Sequence, residues 1–156
     1  MTEAPNTAAF ARPRVAAGAL FTDEAGRVLL VRPTYKPHWD IPGGYVEPGE
    51  SPRTACIREV HEELTLSIQA GEHLVTDWAP ALGEGDKLLF IFDFGILGKE
   101  AASKIILGEN ELSEWRFVKP SEFAEYVPDR LARRILIAIA ARERGSSAYA
   151  EHGYSV

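Results

Sequence analysis

Glu59, Glu62 and Glu63 lie close together in the stretch Arg58-Glu-Val-His-Glu-Glu-Leu64. At about 100° of helical turn per residue, the three acids share one arc about 100° wide. Cys56, Ile57, Val60 and Leu64 share a separate arc. The stretch therefore reads as a helix with one apolar face and one face of carboxylates. Like charges three or four residues apart cost a few tenths of a kcal/mol per pair in water. At about 5 Å and an effective dielectric of about 20, the repulsion rises to roughly 3 kcal/mol per pair. Arg53 and Arg58 lie off the acidic arc, so a divalent cation is the direct compensation. Carboxylate oxygens without His or Cys partners suit Mg²⁺ or Mn²⁺ rather than Zn²⁺, and Mg²⁺ takes few carboxylates alongside substrate phosphates.

A solvated acidic face would show the same pattern, and the preceding loop separates the two readings. Gly43, Gly44 and Gly49 precede the helix. Glycines there permit positive φ and close backbone approach, exposing carbonyls to a cation and amides to an anion. Ser51 is the expected N-cap and Pro52 the first helical residue, with helix formers continuing to Leu64. Loop and acidic helix together place hard oxygen donors beside an anion-binding helix start.

In this form the segment resembles the signature of the Nudix hydrolase family. That signature is Gly, five residues, Glu, seven residues, then Arg-Glu-U-x-Glu-Glu-x-Gly-U, with U a bulky aliphatic. Here it stands as Gly44, Glu50 and Arg58-Glu59-Val60-His61-Glu62-Glu63-Leu64-Thr65-Leu66, with eight of the nine specified positions matching. The departure is Thr65 in place of the signature glycine. A β-branched residue is costly in a left-handed exit, so a different exit geometry, or direct continuation into the next strand, is expected.

The resemblance implies an α/β (α+β) fold, an α/β/α sandwich with a mixed β-sheet. It also implies hydrolysis of a diphosphate linkage in a nucleoside diphosphate joined to another group. Carried over position by position, Glu59, Glu62 and Glu63 would hold Mg²⁺ or Mn²⁺ together with the Gly43 carbonyl. Glu50 and Arg58 would brace the loop, starting at Gly44, against the helix. A further carboxylate from downstream falls best on Glu111, with Glu109 and Glu114 as competitors. Catalysis is thus expected from Glu62, Glu63 and Glu111. Arg32 and Lys36 are candidates for phosphate contact. Tyr35, His38, Trp39, Trp78 and Pro80 are candidates for base or ribose contact. A nucleoside triphosphate, ADP-ribose and a nucleotide sugar all remain open as substrates. The rival reading is a catalytically silent nucleotide sensor on the same fold, which would have no need of the whole charge cluster. An isoprenoid diphosphate isomerase would need a catalytic cysteine, and the single Cys56 belongs to the apolar face.

Other elements must position this site. Val15 to Phe21 and Val28 to Val31 read as a hairpin, turned at Asp23 and Gly26. Arg32 to Asp40 reads as a presenting loop. Strands are expected at Ser67 to Trp78, Lys87 to Leu97 and Leu112 to Val118, with a loop at Gly83 to Asp86. A short helix should open at Lys119, and a longer one should run from an Asp129 cap to Arg144, stopped by Gly145. The arginines of that last helix read as a solvated face. Residues 1–156 read as a single domain, with flexible tails at 1–13 and 146–156.

The formal charge of -6 argues against a stable nucleic-acid complex. Residues 44–66 alone carry -3 of it, and a bound cation would reverse the local sign. No apolar run approaches the roughly 20 residues of a membrane span. A lone cysteine fits a reducing, cytoplasmic setting. The expected partner is a small nucleoside diphosphate derivative, and the family resemblance allows a homodimer.

Overall fold

The computed structural model describes residues 9–156; the first eight residues of the expected N-terminal tail lie outside it. In chain order the elements are β1 (Arg14–Thr22), β2 (Val28–Pro33), β3 (Gly43–Tyr45), α1 (Pro52–Leu64), β4 (His73–Trp78) and β5 (Lys87–Ile96). They continue with α2 (Lys99–Ala102), β6 (Leu112–Val118), a 3-10 helix (Pro120–Glu125), α3 (Asp129–Arg144), β7 (Ala148–Glu151) and β8 (Tyr154–Ser155).

The strands form one mixed sheet in the order β6-β2-β1-β5-β4-β7-β8. β1 runs parallel to β5 and β4 parallel to β7; the other pairings are antiparallel. The free edge of β1 is shared. β2 pairs at its end through Thr22 and Val28, and β3 pairs nearer its start through Ala16, Ala17 and Gly18.

Both faces of the sheet are covered. Ala17, Ala19 and Phe21 of β1, with Leu29 and Val31 of β2, pack with Cys56, Val60 and Leu64 of α1. Leu20, Val28 and Leu30 turn the other way, toward Ile135, Ala138 and Ala141 of α3. Alternate residues thus enter different cores, which is why these strands read as continuous apolar runs. The architecture is the expected α/β sandwich with a mixed sheet.

Three local expectations are corrected. β4 begins at His73 rather than Ser67. Before it, the Ala70 and Gly71 carbonyls are taken by the Arg53 guanidinium at 2.9 and 2.7 Å. α3 starts one residue earlier than an Asp129 cap implies, with Pro128 at the cap position and Asp129 inside the helix. Thr65 adopts the left-handed conformation after all, with φ 59° and ψ 35°. Its amide donates to the His61 carbonyl, and its hydroxyl donates to the Ile106 carbonyl at 2.7 Å, which offsets the strain of a β-branched residue there.

The largest correction concerns the end of the chain. Residues 146–156 are not a loose tail: β7 joins the edge of β4, and β8 folds back on β7. Nor are Arg134 and Arg142 of α3 part of a solvated face. Arg134 is buried and donates from Nε to Asp77 Oδ2 at 2.6 Å. Arg142 donates to Asp93 Oδ1 at 2.7 Å and to Thr22 Oγ1 at 2.6 Å. Asp77 also accepts from the Gly153 amide at 3.1 Å, so one fully buried carboxylate holds both α3 and the turn between β7 and β8.

Removing one partner of a buried pair leaves the other charge without compensation. Asp77→Ala is therefore expected to destabilise the fold by about 3–5 kcal/mol, read from chemical denaturation. A loss below about 1 kcal/mol would show that the pair does not anchor the C-terminal strands.

Candidate active site

The site is built where β3 passes the C-terminal half of α1. The Ala19 amide donates to the Pro42 carbonyl, and the Val46 amide to the Val15 carbonyl, both at 2.8 Å. Alternate residues of this antiparallel pair carry the ladder, so Gly43 faces away from β1 with both its amide and its carbonyl. The amide donates to Glu63 Oε1 at 2.7 Å. Only glycine fits there: φ is 151°, and a Cβ would lie 2.2 Å from the Ala17 carbonyl oxygen. Gly44 leaves room for the Glu59 carboxylate, which a Cβ 2.6 Å away would displace.

Arg58 organises the acids. Its Nε and Nη2 fork onto Glu50 at 2.8 and 2.9 Å, which is the brace expected between loop and helix. Nη1 then reaches Glu59 Oε1 at 3.0 Å and Glu62 Oε2 at 3.3 Å. The angular reading that put Arg58 off the acidic arc is thereby corrected, since a long side chain reaches well beyond the direction of its own Cα. The Arg58 hydrogen bond holds the Glu50 carboxyl down at about 2, aided by the Glu47 amide. Arg58 in turn is held firmly protonated, chiefly by Glu50.

Glu63 has no such cation. It is buried at 6 % exposure, and burial pushes its pKa up to about 8 against the Gly43 hydrogen bond, with the charges of Glu59, Asp40 and Glu111 adding to the rise. Glu59 is also raised, again chiefly by burial, with Arg58 opposing and Glu62 and Glu111 adding. Glu62 is half exposed and leans on Arg58. Among the described residues, no three His, Cys, Asp or Glu side chains converge as a metal cage. The donor set nevertheless fits a hard divalent cation. It offers carboxylate oxygens only, a buried acid paired by one neutral amide, and a strand carbonyl on the same edge as that amide.

Of the three downstream acids, Glu111 is the one whose charge reaches both Glu59 and Glu63. Glu114 is instead drawn to Arg32 at 3.1 Å and Arg116 at 3.3 Å, and Glu109 does not figure among the charges acting on the cluster. The segment carrying Glu111 is pinned from both sides. The Gly108 amide donates to the Glu63 carbonyl at 3.0 Å, and the Thr34 amide to the Glu111 carbonyl at 2.9 Å. A Cβ on Gly108 would lie 2.5 Å from the Glu62 carbonyl oxygen, so this glycine is what lets the loop close on α1. Neither Gly108 nor Asp40 is marked out by any local motif.

A cavity of about 410 Å³ adjoins Gly43 and Gly44 and is walled by Tyr35, Lys36, Tyr45 and the first turns of α3. Of the seven candidate substrate contacts, Tyr35 and Lys36 line it. Arg32 is engaged by Glu114. Trp39 packs edge-on against Tyr126 at 5.4 Å, with the Arg116 guanidinium over its ring at 5.4 Å. Trp78 sits in β4 beside Leu88 and Glu151, with its carbonyl accepting from His152. His38 and Pro80 are likewise outside the cavity wall, although Arg130 of the wall donates to the Pro80 carbonyl.

The family model described as the NUDIX domain matches residues 12–138. The chain belongs to the Nudix family. A Bacillus subtilis protein carrying the provisional name 8-oxo-dGTP diphosphatase is 45 % identical over 109 residues, spanning 69 % of this chain and 68 % of its own. An RNA pyrophosphohydrolase of Pseudomonas fluorescens is 40 % identical over 122 residues, spanning 69 % of this chain and 76 % of its own. The crystal structure of the MutT protein from Methanosarcina mazei Go1 superposes with a TM-score of 0.68 at 22 % identity, covering 87 % of this chain and 98 % of that one.

The protein is accordingly a Nudix hydrolase acting on pyrophosphate bonds, and Nudix hydrolases generally use divalent metal ions. Among the described residues, no helix of this member is long and apolar enough to cross a membrane.

The Glu63 environment of this Nudix protein has a pH consequence. The carboxyl rises from its ordinary 4.5 to about 8 on folding. Between those values the folded state binds more protons than the unfolded one, so stability is full below pH 4.5 and falls as pH rises toward 8. Without divalent cation, unfolding free energy is expected to drop on the order of 4 kcal/mol across that window. In Glu63→Gln that component should vanish. Urea denaturation at a series of pH values checks both, and an equal slope in the two proteins would show that Glu63 is not the group responsible.

Proposed function

We propose that this Nudix hydrolase is an Mg²⁺- or Mn²⁺-dependent enzyme that cleaves the phosphoanhydride bond of a nucleoside diphosphate joined to another group. A nucleoside triphosphate is the substrate form favoured. The observation that carries this reading is the dual use of Gly43-Gly44. One side of that dipeptide meets Glu63 and Glu59, and the same residues wall the cavity. A nucleotide seated in the cavity has its phosphates beside the carboxylates. The name carried by the Bacillus relative is that of an enzyme acting on a nucleoside triphosphate, in keeping with this choice.

Glu59, Glu63 and the Gly43 carbonyl would hold the cation, with Glu62 swinging from Arg58 to join them. When bound, that cation neutralises phosphate charge and lowers the pKa of a coordinated water. Glu111 is assigned as the base, because it faces Glu59 and Glu63 and is drawn off by no arginine of its own. It takes a proton as water attacks phosphorus, and the anhydride oxygen leaves with its electron pair. Tyr35 offers a stacking face to the ligand. Arg58 aims Glu59 and Glu62, and Glu50 holds Arg58. Cys56 is buried and its thiol is pushed up to about 12 by that burial, so it takes no part in the chemistry.

Glu63→Gln keeps an acceptor for the Gly43 amide and removes the charge. Turnover should fall by at least about a hundredfold with Mg²⁺ or Mn²⁺, while circular dichroism and the denaturation midpoint show a folded protein. The assay is a panel of nucleoside triphosphates, ADP-ribose, dinucleoside polyphosphates and nucleotide sugars, with products identified to locate the cleaved bond. Wild-type turnover in this variant, or turnover that persists after chelation, would overturn the assignment.

A further inference from the structure

The far wall of the cavity carries a charged group that the hydrolytic chemistry does not use. Arg134 is only 7 % exposed and lines the cavity. Its Nε is fixed to Asp77 Oδ2 at 2.6 Å, and Asp77 is fully buried. Among the described residues, neither Nη1 nor Nη2 of Arg134 meets an acceptor, and neither is sealed from solvent. Both therefore open onto the cavity. One turn earlier, Arg130 spends Nη2 on the Pro80 carbonyl, and its Nε is buried without a partner among the described residues.

The other cations around the cavity are already engaged. Lys36 binds Asp40 and Lys87 binds Glu84, each at 2.6 Å. The unsatisfied groups of the α3 wall are thus donors, and the ligand part that enters there must bring acceptors. Asp77 cancels the charge of Arg134, so the pair offers a directed fork rather than an attraction for a dianion. The phosphates already have their place at the opposite end, beside Glu59 and Glu63.

We propose that Arg134, held by Asp77, reads the base of the nucleotide, accepting a guanine-type edge and rejecting adenine. This rests on the nucleotide reading of the site and names the base it takes. An arginine fork matches the adjacent O6 and N7 acceptors of guanine, whereas adenine sets its N6 amino donor against the guanidinium. A wrong base leaves buried donors unpaired, which is the situation in which a polar pocket discriminates best. Tyr35 and Tyr45 flank the same space and supply ring faces.

The test is equilibrium binding of GMP, IMP, AMP, 7-deaza-GMP and ribose 5-phosphate to the full chain, by calorimetry without divalent cation. GMP and IMP share the edge and should bind at least about tenfold more tightly than AMP. Loss of N7 in 7-deaza-GMP should cost part of that margin. Arg134→Lys keeps a cation beside Asp77 but loses the fork, and should bring the nucleotides within about twofold of one another. Equal binding of GMP and AMP overturns the proposal. So does a preference that survives in Arg134→Lys, or ribose 5-phosphate binding as tightly as GMP. If Arg134→Lys does not fold by circular dichroism, the analogue series on the wild-type protein decides alone. Because no hydrolysis is involved, a base preference without turnover on any substrate would sink the enzymatic reading and leave this one standing.

Discussion

Too many carboxylates for the cations at hand is the constraint from which the site follows. α1 sets Glu59, Glu62 and Glu63 on one face, and the single Arg58 cannot satisfy all three. It spends two of its nitrogens on Glu50 and divides the third between Glu59 and Glu62. Glu63 is left with one neutral amide in a buried setting. A carboxylate in that position is either protonated or partnered by a charge from outside the chain. The fold thus carries a surplus of carboxylates rather than a finished salt-bridge network. Each nearby irregularity holds those carboxylates together: glycines at 43 and 44 let strand and helix approach, and Gly108 lets the Glu111 segment close over the helix end.

Position within the sheet matters as much as the acids themselves. Because β2 and β3 share one edge of β1, the ladder is interrupted between them, and the chain from Pro33 to Ile41 is free to rise as a wall. That wall carries Tyr35, Lys36 and Asp40 to the cavity. The opposite wall comes from α3, whose apolar face is fully used on the core. Cavity and carboxylates meet at β3, a strand of three residues. A short strand with two glycines is a weak element on its own, and it is held by β1 on one side and by Glu63 on the other.

Most of the catalytic segment was legible because its determinants are local. The Ser51 cap, Pro52 at the helix start, the apolar arc and the acid spacing all act within a few residues of one another. The strands buried on both faces were legible as apolar runs. What escaped the sequence depends on partners far along the chain. Residues 148–155 are short, polar and glycine-broken, and become strands only because the edge of β4 and the buried Asp77 receive them. Arg134 looks like any other basic residue of an arginine-rich helix until Asp77, 57 positions earlier, is placed against it. Trp39 and Trp78 carry the right chemistry for a ligand but are consumed by packing. Tyr35, with the same chemistry, is not, and nothing in composition separates the three. Thr65 shows the converse case: a residue of the wrong type adopts the signature geometry because a carbonyl at Ile106 is waiting for its hydroxyl.

Asp77 ties these observations together. It lies in β4, away from the carboxylates of α1, and has no part in their chemistry. By holding the Arg134 side chain and the Gly153 amide with its two oxygens, it makes the C-terminal strands and the α3 wall of the cavity mechanically one piece. The chemistry, in contrast, is held by Arg58 and Glu50 at the other end of the cavity. Two buried or half-buried ion pairs therefore divide the work, one fixing the acidic helix against its loop and the other fixing α3 against β4 and the C-terminal strands. Their separation explains how the acid box can be readable from spacing alone while the ligand it serves is not. The box depends on residues within one helix and its loop. The α3 wall depends on a contact between distant elements, Asp77 in β4 and Arg134 in α3.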